Sequence, residues 1–404
     1  MKISNNLKLI FFTDSITPLK DATSRINHSL IIFLSKKYDL EIICPHMKSN
    51  QAIGFPKNIV FRRIIIPFIK TRNIFKKIIK FTIFSIFCLP FLIINGFKKD
   101  IILLHTSPPT LTPLLVIPII FLDFFKIKIP KLVLIAHDLY PDILFNNKNK
   151  FFSYYLISKV FKFCYKRFDT IISCCNSIND KLHNFYDIDK NKLEIIYCSS
   201  LIPSNFIGKN HKINFSNIDK IKPKIVLMGN IGLLHLPKET INFLEFLLSR
   251  FSDLEIKTHI SGGKSSLFKK SLSNFKNFNF NPLISHTQLA FIYQTPTITL
   301  ISLSKVASDC AFPSRISTAL SLGSPIFLLT DELKNNYLVK FLDKYKVGTA
   351  ISYKFDEDLK LKKLKQLIFN FEKFSNNSKK IYLKLFEKQK NFQKFEDIIS
   401  NYNL

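Results

Sequence analysis

The sequence predicts an α/β protein built from two doubly wound domains in tandem. Short apolar runs alternate with helical segments along the chain, the pattern of a parallel sheet with crossover helices. The alternation stops at a polar stretch, Asn205–Lys224, and then restarts. The length agrees: 404 residues suit two domains at roughly 150 residues each.

In the first half the predicted strands are Lys8–Phe12, Leu40–Cys44, Ile59–Ile65, Asp100–His105, Lys131–His137, Thr170–Cys174 and Leu193–Tyr197. Helical candidates between them are Asn27–Lys37, Phe75–Ile94, Leu111–Phe125 and Phe151–Phe168. After the polar stretch the strands are Lys224–Met228, Leu254–Ile260, Thr297–Ile301, Pro325–Leu329 and Val347–Tyr353. Their helices are Lys238–Phe251, Ser285–Tyr293, Pro313–Leu322 and Leu333–Tyr345, and the charged end, Asp356–Asn403, is helical throughout. The predicted organisation is a first domain over 1–204, a linker over 205–223 and a second domain over 224–380. A C-terminal helix, 381–404, is expected to pack back on the first domain. Two such domains place a ligand in the cleft between the carboxyl ends of their strands.

Composition narrows the function classes. With 47% hydrophobic residues the chain has ample apolar content for cores, which excludes gross disorder. The net charge of +30 would ordinarily suggest nucleic acid or a membrane. However, Phe, Ile, Lys and Asn all have AT-rich codons, and only seven of the 59 basic residues are Arg. The charge is also spread evenly over both halves. It therefore reads mainly as a solvated surface, and no zinc finger or RNA-binding aromatic motif accompanies it, so no nucleic-acid partner is expected.

One stretch stands apart. Ile42–Lys99 contains no Asp or Glu but eleven Lys or Arg. Within it, Phe81–Phe97 is apolar with Pro90 inside, and Lys76, Lys77 and Lys80 precede it. Seventeen residues fall short of the roughly 20 a spanning helix needs. A basic, apolar helix lying on an anionic membrane surface fits this pattern, and a buried core helix or a true span are the alternatives. No signal-peptide pattern opens the chain. Seven cysteines without regular spacing argue against a disulfide framework or a zinc site. The expected location is cytoplasmic, peripheral on the inner face of the plasma membrane.

Glycine usage points to a site. The chain has nine glycines where about 7% would give roughly 28. Each survivor is thus informative about a backbone requirement. Gly229 and Gly232, in Gly-Asn230-Ile-Gly, follow the first strand of the second domain, where backbone N–H groups can approach a phosphate. Gly262 and Gly263 follow the next strand. Pro313-Ser314-Arg315 opens a helix whose N-terminus favours an anion, and Arg315 offers a bidentate fork in a chain that otherwise uses Lys. In the first domain, His137-Asp138-Leu-Tyr-Pro-Asp142 and Thr106-Ser107-Pro108-Pro follow strands and face the same cleft.

Together these segments resemble the family-four glycosyltransferases of bacterial surface polysaccharide synthesis, of the colanic acid and O-antigen type. The resemblance rests on Ser107-Pro108-Pro109, His137 to Asp142, Gly229 to Gly232 with His235, and Pro313-Ser-Arg315 running to Leu322-Gly-Ser-Pro325. It implies the GT-B fold, two Rossmann-like domains facing a central cleft. It also implies retaining transfer of a sugar from a nucleotide-diphosphate donor to a saccharide acceptor, expected to be lipid-linked, in O-antigen or lipopolysaccharide biosynthesis. No metal or other cofactor is expected. Gly229, Asn230, Gly232, His235, Gly262, Gly263, Ser314, Arg315 and Thr318 are implied on the donor side. His137, Asp138 and Asp309 are the catalytic candidates, and Ser107, Pro108 and Arg25 lie on the acceptor side. Two Glu common in relatives are replaced by Cys310 and Thr318, which motivates one alternative, a non-catalytic GT-B scaffold subunit; a nucleotide-sugar epimerase, which shares the two-domain shape, is the other.

Overall fold

The structure, a computed structural model, describes residues 7–17, 22–46, 54–66, 74–145, 151–207 and 224–403. The chain divides into two compact units. Unit 1 comprises Met1–Tyr197, Cys310–Phe312 and Gln389–Leu404, and unit 2 comprises Cys198–Asp309 and Pro313–Lys388. Most of the predicted linker, 208–223, lies outside the described residues.

Unit 1 runs β1 (Lys8–Phe12), α1 (Ala22–Leu34), β2 (Asp39–Pro45), β3 (Val60–Ile64), α2 (Ile74–Ile94) and β4 (Ile101–His105). It continues with α3 (Leu111–Phe124), β5 (Lys131–Ala136), α4 (Phe151–Arg167), β6 (Thr170–Ser173), α5 (Asn176–Asn184) and β7 (Leu193–Ile195). The seven strands form one parallel sheet in the order β3-β2-β1-β4-β5-β6-β7. The central strands β4 and β5 are almost entirely buried, as continuous apolar runs flanked by helices should be. The strand order reverses between β1 and β4, which opens a crevice beyond their carboxyl ends.

The apolar, basic segment becomes α2. It is the one described helix long and apolar enough to cross a membrane by length and composition. Its place in the sheet argues against a span. It is the crossover between β3 and β4, two strands of one sheet, and a span would put those strands on opposite sides of a bilayer. Phe84, Ser85, Cys88 and Leu92 face inward and are buried, while Ile79, Ile86, Phe87, Ile93 and Ile94 are exposed.

Unit 2 runs β8 (Lys224–Asn230), α6 (Pro237–Arg250), β9 (Ile256–Ser261), α7 (Ser265–Leu272), β10 (Phe278–Asn281), α8 (His286–Ile292) and β11 (Thr297–Ser302). Then come α9 (Lys305–Cys310), α10 (Ser314–Ser321), β12 (Ile326–Thr330), α11 (Tyr337–Tyr345), β13 (Gly348–Ser352), α12 (Glu357–Phe369) and α13 (Phe371–Ile381). Its parallel sheet has the order β10-β9-β8-β11-β12-β13, so the reversal falls between β8 and β11. Ile225, Leu227, Leu300 and Phe327 of the sheet pack with Phe243, Leu244 and Leu247 of α6 to form the core.

The last helix, α14 (Lys388–Ser400), contributes Phe395 and Ile399 to the core of unit 1 beside Leu30, Ile31 and Leu34 of α1. Phe392 packs on Phe33 with ring centroids 5.0 Å apart, and Lys37 is paired with Glu396.

Twelve of the thirteen strands fall where the sequence pattern places them, with ends shifted by at most two residues. β10 is absent from the predicted set because Phe-Asn-Phe-Asn is short and alternates on an edge, without the apolar run of a central strand. Three short helices, α5, α7 and α9, were likewise not predicted: their Asn, Ser, Lys and Asp content resembles loop. α1 begins five residues earlier than predicted, and α11 four residues later, where Asn336 caps it by accepting from the Leu338 N–H at 3.0 Å.

Candidate active site

In unit 2 the loop after β8 is held at the reversal of strand order. The Ser304 N–H donates to the Leu234 carbonyl at 2.8 Å, and Ser302 Oγ donates to the His235 carbonyl at 2.7 Å. The Ile231 N–H donates to the Ser261 carbonyl at 2.8 Å, tying the loop to the end of β9.

Two glycines make this packing possible. Gly229 has φ +101° and lies against the guanidinium of Arg315, whose Cζ would be 3.5 Å from an added Cβ. Gly262 also has φ +101°, and a Cβ there would sit 2.0 Å from Asn230 Oδ1 and 2.7 Å from the Ile231 carbonyl oxygen. Only glycine tolerates that approach and that left-handed backbone together. Gly232 lies beside His235, and Gly263 has open space where a Cβ would stand.

Arg315 enters from the first turn of α10. Its Nη2 donates to the Asn230 carbonyl at 3.0 Å and lies 2.7 Å from His235 Nε2. The Gly232 N–H donates to His235 Nδ1 at 3.0 Å. That bond requires a bare Nδ1, so the proton of neutral His235 sits on Nε2 and faces another donor, Arg315 Nη2. Arg315 Nη1 is buried and finds no hydrogen-bond acceptor among the described residues. Burial, followed by the Arg315 charge, pushes His235 down to about 3, so the imidazole is neutral. Burial also lowers Arg315, to about 10, which still leaves it cationic at neutral pH. The pocket therefore holds one cation, several donors and too few acceptors, which is the chemistry of an anion site. Ser314 lies on the same turn of α10 as Arg315. Thr318, one turn on, is buried, and its carbonyl accepts from Ser321 Oγ at 2.8 Å.

Asp309 is engaged elsewhere in unit 2. Its Oδ2 pairs with Lys305 Nζ at 3.0 Å, and its Oδ1 accepts from the Tyr337 N–H at 3.2 Å, at the start of α11.

In unit 1 the carboxyl ends of β1, β4 and β5 carry the polar groups. Asn27 of α1 is buried and donates to Thr13 Oγ1 at 3.2 Å and to the Ser15 carbonyl at 2.9 Å, shaping the turn after β1. Arg25 is on the same helix, half a turn before, and half-buried. Ser107 Oγ donates to Asp14 Oδ1 at 3.2 Å across the β1–β4 crevice, and Pro108 beside it is buried. His137 and Asp138 follow β5 directly. Burial lowers the pKa of His137 and raises that of Asp138. His105, at the end of β4, touches the His137 ring at 3.1 Å.

The His137–Asp142 loop is anchored from below. Asp142 is buried at 3% exposure and accepts from Tyr154 Oη at 2.8 Å and Tyr186 Oη at 2.6 Å, and it pairs with Lys181 Nζ at 2.6 Å. Tyr165 Oη donates to the Tyr140 carbonyl at 2.6 Å.

Six of the sequence-predicted donor residues thus meet around one point in unit 2: Gly229, Asn230, Gly232, His235, Gly262 and Arg315. Ser107 and His137 meet in unit 1 through His105. Sequence reasoning missed His105, Asp14, Lys181 and Tyr186. His105 was visible as the residue just before Thr-Ser-Pro-Pro, but it was counted only as the end of a strand.

Comparison with known proteins places this geometry. Residues 24–199 match Glycosyltransferase Family 4. Over nearly its whole length the chain also superposes on solved structures. Sucrose-phosphate synthase from Thermosynechococcus elongatus matches with TM-score 0.72 at 9% identity, covering 98% of this chain and 99% of that one. WaaG, a glycosyltransferase involved in lipopolysaccharide biosynthesis, matches with TM-score 0.64 at 12% identity, covering 97% and 99%. Anabaena HepE in complex with UDP matches with TM-score 0.64 at 11% identity, covering 98% and 100%. Identities this low establish the fold, which is GT-B. The family match in unit 1 and this shared fold together support a glycosyltransferase.

Proposed function

We propose that the chain is a retaining glycosyltransferase that moves a sugar from a nucleotide-diphosphate donor to a saccharide acceptor. The observation that carries this reading is the donor-rich cradle around Arg315, with a buried Nη1 that lacks an acceptor among the described residues. A diphosphate supplies the missing acceptors. HepE, which shares the fold, binds UDP. Arg315 and the loop N–H groups would meet the charge that develops on the leaving diphosphate, a role for which no metal is invoked. His137 stands on the sugar side, and Ser107, Pro108 and Arg25 on the acceptor side. A thermal-shift screen of UDP-, GDP-, ADP- and dTDP-sugars tests the reading. One of them should raise the unfolding midpoint and be consumed only when an acceptor saccharide is added, because binding to the native state stabilises it. Turnover of donor alone to a different nucleotide sugar would instead make the chain an epimerase. No response to any donor would favour a scaffold.

The proposed acceptor is lipid-linked and belongs to surface polysaccharide such as O-antigen. The enzyme would then work on the cytoplasmic face of the plasma membrane. Support comes from the helical layer of unit 1, in which α3 packs between α2 and α4. Ile86 and Phe87 of α2, Phe121 and Phe124 of α3, and Phe152 and Leu156 of α4 are all exposed. Lys76, Lys77, Lys80, Lys159 and Lys166 lie on α2 and α4, and the sole acidic residue of the three helices, Asp123, is paired with Arg167 at 3.1 Å. Each lysine near an anionic surface adds about 1 kcal/mol of attraction. The protein should co-float with vesicles containing anionic lipid at low salt and be released at high salt. Phe87→Asp should weaken that binding without lowering the unfolding midpoint. Equal flotation with purely zwitterionic vesicles, or none at all, would refute the docking.

A further inference from the structure

We propose that His105 is a positioning residue that locks His137 in its neutral, Nε2-protonated form, so that His137 serves as a hydrogen-bond donor to a substrate oxygen and not as a proton shuttle. This rests on the glycosyltransferase reading, in which that oxygen is a hydroxyl of the sugar.

The inference follows from one chain of hydrogen bonds. The Ser107 backbone N–H donates to His105 Nδ1 at 2.9 Å. A backbone N–H has no other role, so Nδ1 of His105 must be bare and its proton must sit on Nε2. His105 Nε2 lies 3.1 Å from His137 Nδ1, with the rings edge to face at 81°. That proton is donated to His137 Nδ1, which must in turn be bare. Neutral His137 then carries its own proton on Nε2, which meets no acceptor among the described residues. Two backbone constraints hold the arrangement. The turn after β4 fixes the Ser107 N–H, and Cys174 Sγ donates to the His137 carbonyl at 3.2 Å from the end of β6.

Charging either ring breaks the chain. An imidazolium at His105 would aim Nδ1–H at the Ser107 N–H, and one at His137 would aim Nδ1–H at His105 Nε2–H. His105 is at 1% exposure, and burial, then the neighbouring His137, hold its pKa well below the ordinary imidazole range. Ionisable groups near the pair include Asp138, adjacent in the chain and favouring a charged His137, the Cys174 thiol at the His137 carbonyl, and Asp14, which accepts from Ser107 Oγ. Burial outweighs the Asp138 charge at His137.

The experiment uses the full chain labelled with 15N-histidine, with His137 assigned by its loss in His137→Gln. Long-range 1H–15N correlations distinguish the tautomers. His137 should keep the neutral Nε2–H pattern from about pH 8 to about pH 5.5, a window that spans the usual imidazole transition. An imidazolium or an Nδ1–H pattern for His137 within that window overturns the proposal, whatever the activity. In His105→Phe the ring is kept but the donor is lost. His137 should then lose its fixed Nε2–H pattern, and kcat/KM should fall roughly tenfold, with KM for the donor little changed. His105→Gln offers an amide donor at the same reach and should restore the Nε2–H pattern. An unaltered His137 pattern in His105→Phe overturns the lock. Should that variant melt early, the wild-type tautomer decides alone. Wild-type protein with the expected pattern but no transfer activity supports the lock and removes only the glycosyltransferase reading.

Discussion

Arg315→Ala should abolish the thermal stabilisation that a nucleotide-diphosphate sugar confers and lower kcat/KM by roughly 10²–10³-fold, the effect of removing one oriented donor from a developing anion. The unliganded protein should not be destabilised. In the structure Nη2 faces the protonated Nε2 of His235, and Nη1 is buried without an acceptor among the described residues, so the guanidinium is under-satisfied before ligand arrives. Truncation removes a buried cation and a donor–donor contact while losing a single bond to the Asn230 carbonyl. The unfolding midpoint without ligand should therefore stay level or rise, while the ligand-induced shift disappears. A generally damaged variant would show the opposite, with a lower starting midpoint and a preserved shift. Arg315→Lys keeps the charge but not the planar fork and should restore only part of the response. A full ligand shift in Arg315→Ala would take Arg315 out of the donor site.

That site was legible because of what the composition suppresses. In a chain this poor in glycine, Gly229 and Gly262 persist where φ is +101°, and at Gly262 a Cβ would also crowd Asn230. Arg315 persists where a fork is needed in a lysine-rich chain. The parallel sheets were legible because buried central strands such as Ile-Ile-Leu-Leu of β4 and Leu-Val-Leu-Ile of β5 have no polar alternation to confuse them with anything else. What was not legible depends on contacts distant in sequence. Asp142 could be read as part of a motif, but its partners Tyr154, Lys181 and Tyr186 lie 12, 39 and 44 residues away, on α4 and α5 and in the turn beyond. The pairing of His105 with His137 depends on β4 and β5 being neighbours in parallel register, with His105 opposite Ile135. No periodicity announces a histidine pair 32 residues apart. Asp309 is a catalytic candidate by its position beside Cys310, and nothing in the sequence shows that its oxygens meet Lys305 and the start of α11.

The same contrast between a visible motif and its hidden support yields the second large effect. Asp142→Ala should destabilise unit 1 by about 3–5 kcal/mol, the usual result of removing one member of a buried ion pair. The cost arises from what remains. Lys181 Nζ loses its counter-charge at 2.6 Å, and two tyrosine hydroxyls lose their acceptor. The pKa of Lys181 is raised, with burial opposed by Cys310 and Asp142; truncation removes the Asp142 support, so the amine is left without its partner whether it keeps its proton or burial drives it neutral. Tyr154, pushed up to about 12 by burial and then by Asp142, stays neutral and can only donate. At about 2–4 °C per kcal/mol for a domain of this size, the midpoint should fall by roughly 10 °C. Asp142→Asn separates the two contributions. Its amide oxygen can still accept from a tyrosine, but its NH₂ faces the ammonium, so the loss should lie between those of wild type and alanine. Lys181→Met in the Asp142→Asn background removes the unpartnered amine and should recover stability relative to Asp142→Asn alone. Because Asp142 closes the loop that His137 opens, kcat should fall in Asp142→Ala even at temperatures where the variant is fully folded. A midpoint within about 2 °C of wild type would show that the carboxylate is solvated and the anchor is not there. A folded variant with normal kcat would show that His137 is held by β5 and His105 alone.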